Sequence, residues 1–166
     1  MGELHLCTPI GGGVARTHPR PNYLKPNTMS RTFTIIKPDS IRKAAEGKII
    51  DILRSRGFRI AAMRATRLSQ EKAGEFYAIH KGKVFFDELM EYMTSGPVIV
   101  AVLERDDAVA ELRRVVGATN PQKAEPGTIR AMFGKDVTEN AIHASDSDEN
   151  AMIEAAHFFT EEDYCL

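Results

Sequence analysis

Thr32-Phe-Thr-Ile-Ile-Lys37, stopped by Pro38-Asp39, opens the regular part of the chain. Threonine, phenylalanine and isoleucine suit a pleated, half-buried surface, and a Pro-Asp pair turns the chain, so the segment reads as a strand and its turn. Outward from it, Ile41, Ala45, Ile49, Ile52 and Leu53 recur at helical spacing over residues 41–56, and Gly57 closes them. Phe58, Ile60 and Ala62 set the two-residue period of a second strand. Ser69 can cap a helix running to about His80, with Ala73, Phe76 and Tyr77 on one side. Phe85, Phe86, Leu89, Met90 and Met93 mark another helix, broken by Ser95-Gly96-Pro97. The unbroken apolar run Val98 to Leu103 reads as a buried strand. Asp106 or Asp107 caps a further helix through Val116, ended by Gly117.

Beyond it, Ala118 to Asn140 is a long stretch with little periodicity except Thr128–Phe133. Ser145-Asp-Ser-Asp148 matches a capping box, and a last helix runs to about Phe159. With one more strand before that helix, the order is strand, helix, strand, two helices, strand, helix, strand, helix. If the helix pair is an insertion, this reduces to βαββαβ. The expected fold is therefore α/β of the α+β kind. It is a ferredoxin-like, four-stranded antiparallel sheet with an inserted helix pair, a long loop and a C-terminal helix. That plan hosts enzymes, regulatory modules and RNA binders alike, so function has to be argued from residues.

The chain has 166 residues, 43% of them hydrophobic and 27% charged, which suits one globular domain. Its 22 basic and 23 acidic residues nearly cancel, which argues against a protein held to nucleic acid or membrane by bulk charge. The six residues Val98–Leu103 fall far short of the roughly 20 that a membrane helix needs. Cys7 and Cys165 stand at opposite ends, so no cysteine framework exists and a reducing, cytoplasmic location is expected. Residues 1–28 hold four of the eight prolines and four of the twelve glycines, and no period survives there. They read as a flexible N-terminal extension, with Met29-Ser30 as an internal start and residues 29–166 as the domain.

The chemistry centres on His143, in Asn140-Ala-Ile-His-Ala-Ser-Asp-Ser147. It precedes a capping signature, where helix N–H groups favour anions and keep an imidazole neutral. A neutral imidazole nitrogen is a competent nucleophile towards phosphorus, provided that its other nitrogen is oriented by an acceptor. Glu154, on the apolar-side rows of the last helix, is the nearest carboxylate for that role. A lone histidine in a loop is more often an ordinary backbone-bonded residue, but its surroundings shift the balance. Arg113 lies one turn before Gly117, Thr119 opens the aperiodic stretch, Arg130 follows a Pro-Gly turn, and Lys37 ends a strand. Guanidinium forks and a threonine hydroxyl suit phosphate oxygens. Neither common glycine-rich phosphate loop is present, so a nucleotide would have to be held by side chains in a cleft.

Asn140-Ala-Ile-His-Ala-Ser-Asp-Ser147 resembles the active-site signature of nucleoside diphosphate kinases. So do Thr34-Ile-Ile-Lys-Pro-Asp39, Phe85-Phe86, Tyr92-Met-Thr-Ser-Gly-Pro97, Gly117-Ala-Thr-Asn-Pro121 and Pro126-Gly-Thr-Ile-Arg130, in order across nearly all of residues 31–159. The resemblance implies transfer of a γ-phosphoryl group from a nucleoside triphosphate to a nucleoside diphosphate, through a phosphohistidine. His143 would be the nucleophile, oriented by Glu154 and Ser145. Arg113, Thr119 and Arg130 would hold the β and γ phosphates with Mg²⁺, which would arrive on the nucleotide rather than in a protein cage. Lys37 and Asn140 would contact sugar hydroxyls and nearby phosphate oxygens. Phe85 would stack on the base opposite Val137, with Leu89 at the same mouth and Tyr77 beside the histidine. A stacking clamp reads no base edge, so little base specificity is implied. Family members are homo-oligomers, tetramers or hexamers built from dimers.

Two positions depart from the family pattern. Ala144 follows the histidine where glycine is common, and Ser40 stands where glycine or alanine is frequent. Neither removes a functional group. Rival readings fit less well. A non-catalytic ferredoxin-like module has no use for His143 among three basic residues. An RNA binder would carry an aromatic Lys/Arg-Gly-Phe/Tyr strand, which is missing. A metal-dependent hydrolase would need histidines at ligand spacing, whereas His80, His143 and His157 are far apart and the outer two read as structural.

Overall fold

A computed structural model describes residues 29–165. The proline-rich residues 1–28, expected as a flexible extension, lie outside the described residues, as does Leu166. Strand β1 is Met29–Ile36, followed by helices α1 (Pro38–Arg42) and α2 (Glu46–Ser55) and strand β2 (Arg59–Arg67). Helices α3 (Gln70–Phe76) and α4 (Phe86–Thr94) precede strand β3 (Pro97–Asp106). Helices α5 (Ala108–Val116) and α6 (Ile129–Phe133), strand β4 (Ile142–Ala144) and helix α7 (Asp148–Ala156) complete the order. The sheet runs β2-β3-β1-β4, and every pairing is antiparallel. This is the expected βαββαβ plan, with α3 and α4 as the inserted pair.

Period two decides the layers. Phe33 and Ile35 of β1 and Val98, Val100 and Val102 of β3 point into one core, against Met90, Met93, Phe158 and Phe159. Ile36, Ala101 and Leu103 point into the other, against Ile49, Leu53, Leu112, Val115 and Val116. With helices on both faces, β3 has no polar side over Val98–Leu103, which explains its unbroken apolar run.

Four expectations need correction. The single helix over 41–56 is two, because Ala44 takes φ 52° and interrupts the ladder between Arg42 and Glu46. Asp107 stands at the start of α5, but its side chain makes no cap. The Ala108 amide donates instead to Ser30 Oγ at 2.9 Å. The one periodic piece of the long loop, Thr128–Phe133, is not a strand but helix α6 with Thr128 at its N-cap position, and the fourth strand forms only at Ile142–Ala144. Finally, Ser147 rather than Ser145 caps α7, accepting from the Asn150 amide at 3.1 Å, which leaves the Ser145 hydroxyl for another task.

The C-terminal tail folds back on its own chain. The Cys165 amide donates to the Ala61 carbonyl at 2.7 Å, where the β2–β3 register slips, and Arg31 lies over the Tyr164 ring. Beneath it, Glu104 is buried between two guanidinium groups, accepting from Arg31 Nε at 2.8 Å and Arg59 Nε at 2.9 Å. Burial alone would raise this carboxyl, but the two arginines outweigh it and hold Glu104 below the ordinary range. A depressed carboxylate contributes stability above its unfolded value, and that contribution disappears as pH falls through the folded one. Glu104→Gln is therefore expected to lose about 2 kcal/mol at pH 7, with the gap to wild type closing below about pH 4. Urea titrations at pH 7 and pH 3 check this; an equal gap at both would refute the ionic account.

Candidate active site

His143 is the middle residue of β4, opposite Ile35 of β1. Its carbonyl accepts from Thr34 Oγ1 at 2.6 Å, which fixes the backbone. Helix α7 buries Ala151 and Ala155, and that placement carries Glu154 to the imidazole. His143 Nε2 lies 3.0 Å from Glu154 Oε2. A carboxylate accepts, so the geometry assigns the ring proton to Nε2 and the lone pair to Nδ1. The Ser145 hydroxyl, fully buried, bonds to the same carboxylate oxygen and lies 3.2 Å from the Phe33 carbonyl. The ring that meets the imidazole edge-on is Phe76, with centroids 5.5 Å apart. The histidine side chain remains 21% exposed, so the site is open to a ligand.

Cationic groups come from three elements. Lys37, at the end of β1, is buried, and its ammonium donates to Asn140 Oδ1 at 2.7 Å. Burial and the nearby Arg130 charge pull it down to about 8. Asn140 in turn donates to the carbonyls of Thr119 at 3.0 Å and Val137 at 3.2 Å, tying both loop residues to the lysine. Arg130, on α6, donates to Gly117 O at 3.0 Å and Ile142 O at 2.9 Å, and its buried Nε has no partner. Burial, then the charge of Arg113, draw Arg130 down to about 10, still cationic at neutral pH. Arg113 is exposed on the last turn of α5. Gly117 makes this meeting possible. Its φ is 87°, and a Cβ there would stand 2.5 Å from Thr128 Oγ1, so only glycine lets α5 end against the turn that carries Arg130.

The far wall is apolar. Phe85, just before α4, is 48% exposed, and Val137 is 58% exposed. Thr138 reaches Glu88 of α4 at 3.5 Å, so these two free side chains stand on adjoining elements. Leu89 is half-buried and packs with Phe86 on the core. Tyr77 is buried with its hydroxyl unpartnered; burial, and then the Glu154 charge, push it up, so it stays protonated. His80, read from sequence as merely structural, stacks on Tyr77 at 6.2 Å and tilts against Phe85 at 5.6 Å. Lys83 Nζ lies 3.2 Å from its Nδ1. Burial, Lys83 and His143 together lower His80. The spacing from Tyr77 was the available signal, because residues three apart eclipse in the 3₁₀ turn Ala78–His80.

An imidazole with one nitrogen held by a carboxylate and the other free, beside guanidinium and ammonium groups, is the equipment of a phosphotransferase. The family model described as nucleoside diphosphate kinase matches residues 30–164. A nucleoside diphosphate kinase of Campylobacter hominis is 53% identical over 137 residues, covering 82% of this chain and all of the relative. One from Chlamydia abortus is 56% identical over 132 residues, covering 80% of this chain and 94% of the relative. Among solved structures, the Aquifex aeolicus nucleoside diphosphate kinase superposes with a TM-score of 0.80 at 46% identity, covering 82% of this chain and 99% of that one. A halophilic nucleoside diphosphate kinase from Halobacterium salinarum, in complex with CDP, gives 0.80 at 38% identity, covering 82% and 91%. The chain belongs to the nucleoside diphosphate kinase family.

Proposed function

We propose that this chain moves the γ-phosphoryl group of a nucleoside triphosphate to a nucleoside diphosphate through a phosphohistidine at His143. The observation that carries the reading is the His143–Glu154 bond, which occupies Nε2 and leaves the Nδ1 lone pair to attack. In the first half, Nδ1 bonds to the γ phosphorus, the bond to the β–γ bridging oxygen breaks, and the diphosphate leaves with that electron pair. In the second half, a terminal oxygen of an acceptor diphosphate displaces Nδ1. The Nε2 proton stays on the imidazole throughout, and Glu154 offsets the charge that the ring gains. Ser145 holds the carboxylate in place. Arg113, Arg130 and Thr119 grip the β and γ phosphates, stabilising charge on the moving group in both halves. Lys37 and Asn140, already bonded to each other, take the sugar hydroxyls and adjacent phosphate oxygens. Phe85 and Val137 sandwich the base and read none of its edges, so all common nucleotides fit. Leu89 lines the same mouth, and Tyr77 stands beside the histidine.

Among the described residues no group of three or more His, Cys, Asp or Glu side chains could hold a metal ion. Glu154, the carboxylate at the nucleophile, is engaged by His143 and Ser145. The donor set therefore does not fit a resident ion, and Mg²⁺ belongs to the nucleotide phosphates. β2 lies at the edge of the sheet and, apart from the Ala61 carbonyl taken by the tail, that side of its backbone can pair with a second copy; this supports a dimer, the unit from which a homo-tetramer or homo-hexamer would be built. No helix among the described residues is long and apolar enough to cross a membrane. A free, exposed Cys165 suits a cytoplasmic location. The match from residue 30 supports residues 29–166 as the domain and 1–28 as an extension outside it.

The decisive measurement is kinetic. Reciprocal plots against donor at several fixed acceptor concentrations should be parallel, and radiolabelled ATP without acceptor should leave acid-labile phosphate on the protein. Intersecting lines with no labelled protein would mean direct transfer in a ternary complex.

A further inference from the structure

Ala141, two residues before His143, is fully buried and has φ 73°. The Ile142 amide donates to the Asn140 carbonyl at 2.9 Å, so Asn140-Ala141-Ile142 closes a γ-turn of the rare positive-φ kind. Alanine has no preference for this conformation, and such strain persists only where the surroundings over-determine it. Here they do. The Ala141 amide donates to Asp39 Oδ2 at 3.1 Å. Its carbonyl accepts from the Lys37 amide at 2.9 Å and from Ser40 Oγ at 3.0 Å. Asp39 is itself 1% exposed, and its second oxygen accepts from the Tyr92 hydroxyl. Lys43 Nζ approaches the first oxygen at 3.8 Å.

The turn sits between two parts of the proposed site. Its first residue, Asn140, carries the amide that bonds Lys37 and the Thr119 carbonyl. Immediately after its last residue comes His143, whose Nδ1 must lie in line with the phosphorus. A shift in the turn moves both.

We propose that Asp39 is a positioning residue for phosphoryl transfer: its carboxylate, braced by Tyr92, holds the γ-turn at Ala141 and through it the placement of His143 and Asn140. The proposal rests on His143 being the residue phosphorylated. Chemistry sets which side chains can take its place. Both neighbours, the Tyr92 O–H and the Ala141 N–H, donate, one to each oxygen. An asparagine can still satisfy both, its oxygen accepting from Ala141 and its amide donating to the tyrosine oxygen, whereas a leucine of similar size satisfies neither.

The test compares Asp39→Asn, Asp39→Leu and Tyr92→Phe in the full chain. It reads the single-turnover rate of acid-labile labelling from radiolabelled ATP, together with nucleotide KM and melting temperature. Asp39→Leu, which leaves the Ala141 N–H without an acceptor, should label on the order of 10–100-fold more slowly, as misplaced reacting groups do, with KM raised by less than the rate falls. Asp39→Asn keeps an acceptor for Ala141 and should label within about threefold of wild type. A merely structural role predicts a lower melting temperature in Asp39→Leu and wild-type labelling by the protein that stays folded. Wild-type labelling in folded Asp39→Leu, or labelling in Asp39→Asn as slow as in Asp39→Leu, overturns the proposal. If Asp39→Leu does not fold, Tyr92→Phe carries the test: it removes the brace on the carboxylate and should slow labelling by about two- to tenfold, whereas unchanged labelling overturns the proposal. Full labelling of His143→Ala would instead strike the phosphohistidine reading and take this proposal with it.

Discussion

His143→Ala is expected to abolish transfer, with a loss of four to six orders of magnitude on the order seen when an enzyme's nucleophile is deleted, while the fold survives. Among the described residues no other offers an oriented imidazole lone pair: His80 is bonded to Lys83, and His157 packs against Phe76 and Phe158. The fold survives because the backbone supplies the β1–β4 pairing and the histidine side chain is not a core group. Coupled assays for turnover, acid-labile labelling for the intermediate and thermal melts for the fold check the three parts separately. Turnover near wild type in a folded variant would remove His143 from the mechanism. Glu154→Gln should cost far less, because it orients the ring rather than reacting, and labelling should still occur.

Arg130→Ala is expected to lower kcat by on the order of 10²–10³-fold, the effect of losing one preorganised charge donor. It differs from a surface arginine in what it leaves behind. The guanidinium bridges Gly117 O and Ile142 O, so its loss strips partners from the end of α5 and from the strand that carries His143. About 1–3 kcal/mol of stability should go with it. Arg130→Lys separates the two contributions. An ammonium restores charge for the phosphates but cannot span both carbonyls as a planar fork, so it should regain part of the rate and little of the stability. If alanine and lysine variants fail equally in rate, charge is not what Arg130 supplies.

The sheet was legible in the sequence because its pattern is simple. Val98–Leu103 reads as doubly covered, and it is; Thr32–Lys37 reads as a strand with a turn, and it is. What escaped was decided by contacts distant in sequence. No local signal announces that Ser30 will cap α5 across 78 positions, or that Ala44 will break a helix whose apolar spacing continues past it. Ser145 reads as a cap for the same reason: a hydroxyl near a helix start has two possible uses, and here Glu154 and the Phe33 carbonyl claim it. Of the candidate site, residue types and order along the chain could be read before the structure. The hidden partnerships could not: Arg130 on backbone carbonyls, Lys37 on Asn140, and His80 stacked on Tyr77 and tilted against Phe85.

β4 is only three residues long and lies at the border of the sheet, yet it carries the nucleophile. Its ladder alone is too short to be firm. Side chains from elsewhere make up the difference: Thr34 on the His143 carbonyl, Arg130 on the Ile142 carbonyl, Ser40 and Asp39 on Ala141. The cooperative bulk of the protein, by contrast, resides in the long β1–β3 and β2–β3 pairings. Durability and competence are therefore vested in different parts of the chain. An engineer who fills the core or tightens those long ladders gains resistance to heat but leaves the working segment as easily opened as before. Longevity of the catalyst at elevated temperature has to be sought in the handful of tethers around one tripeptide.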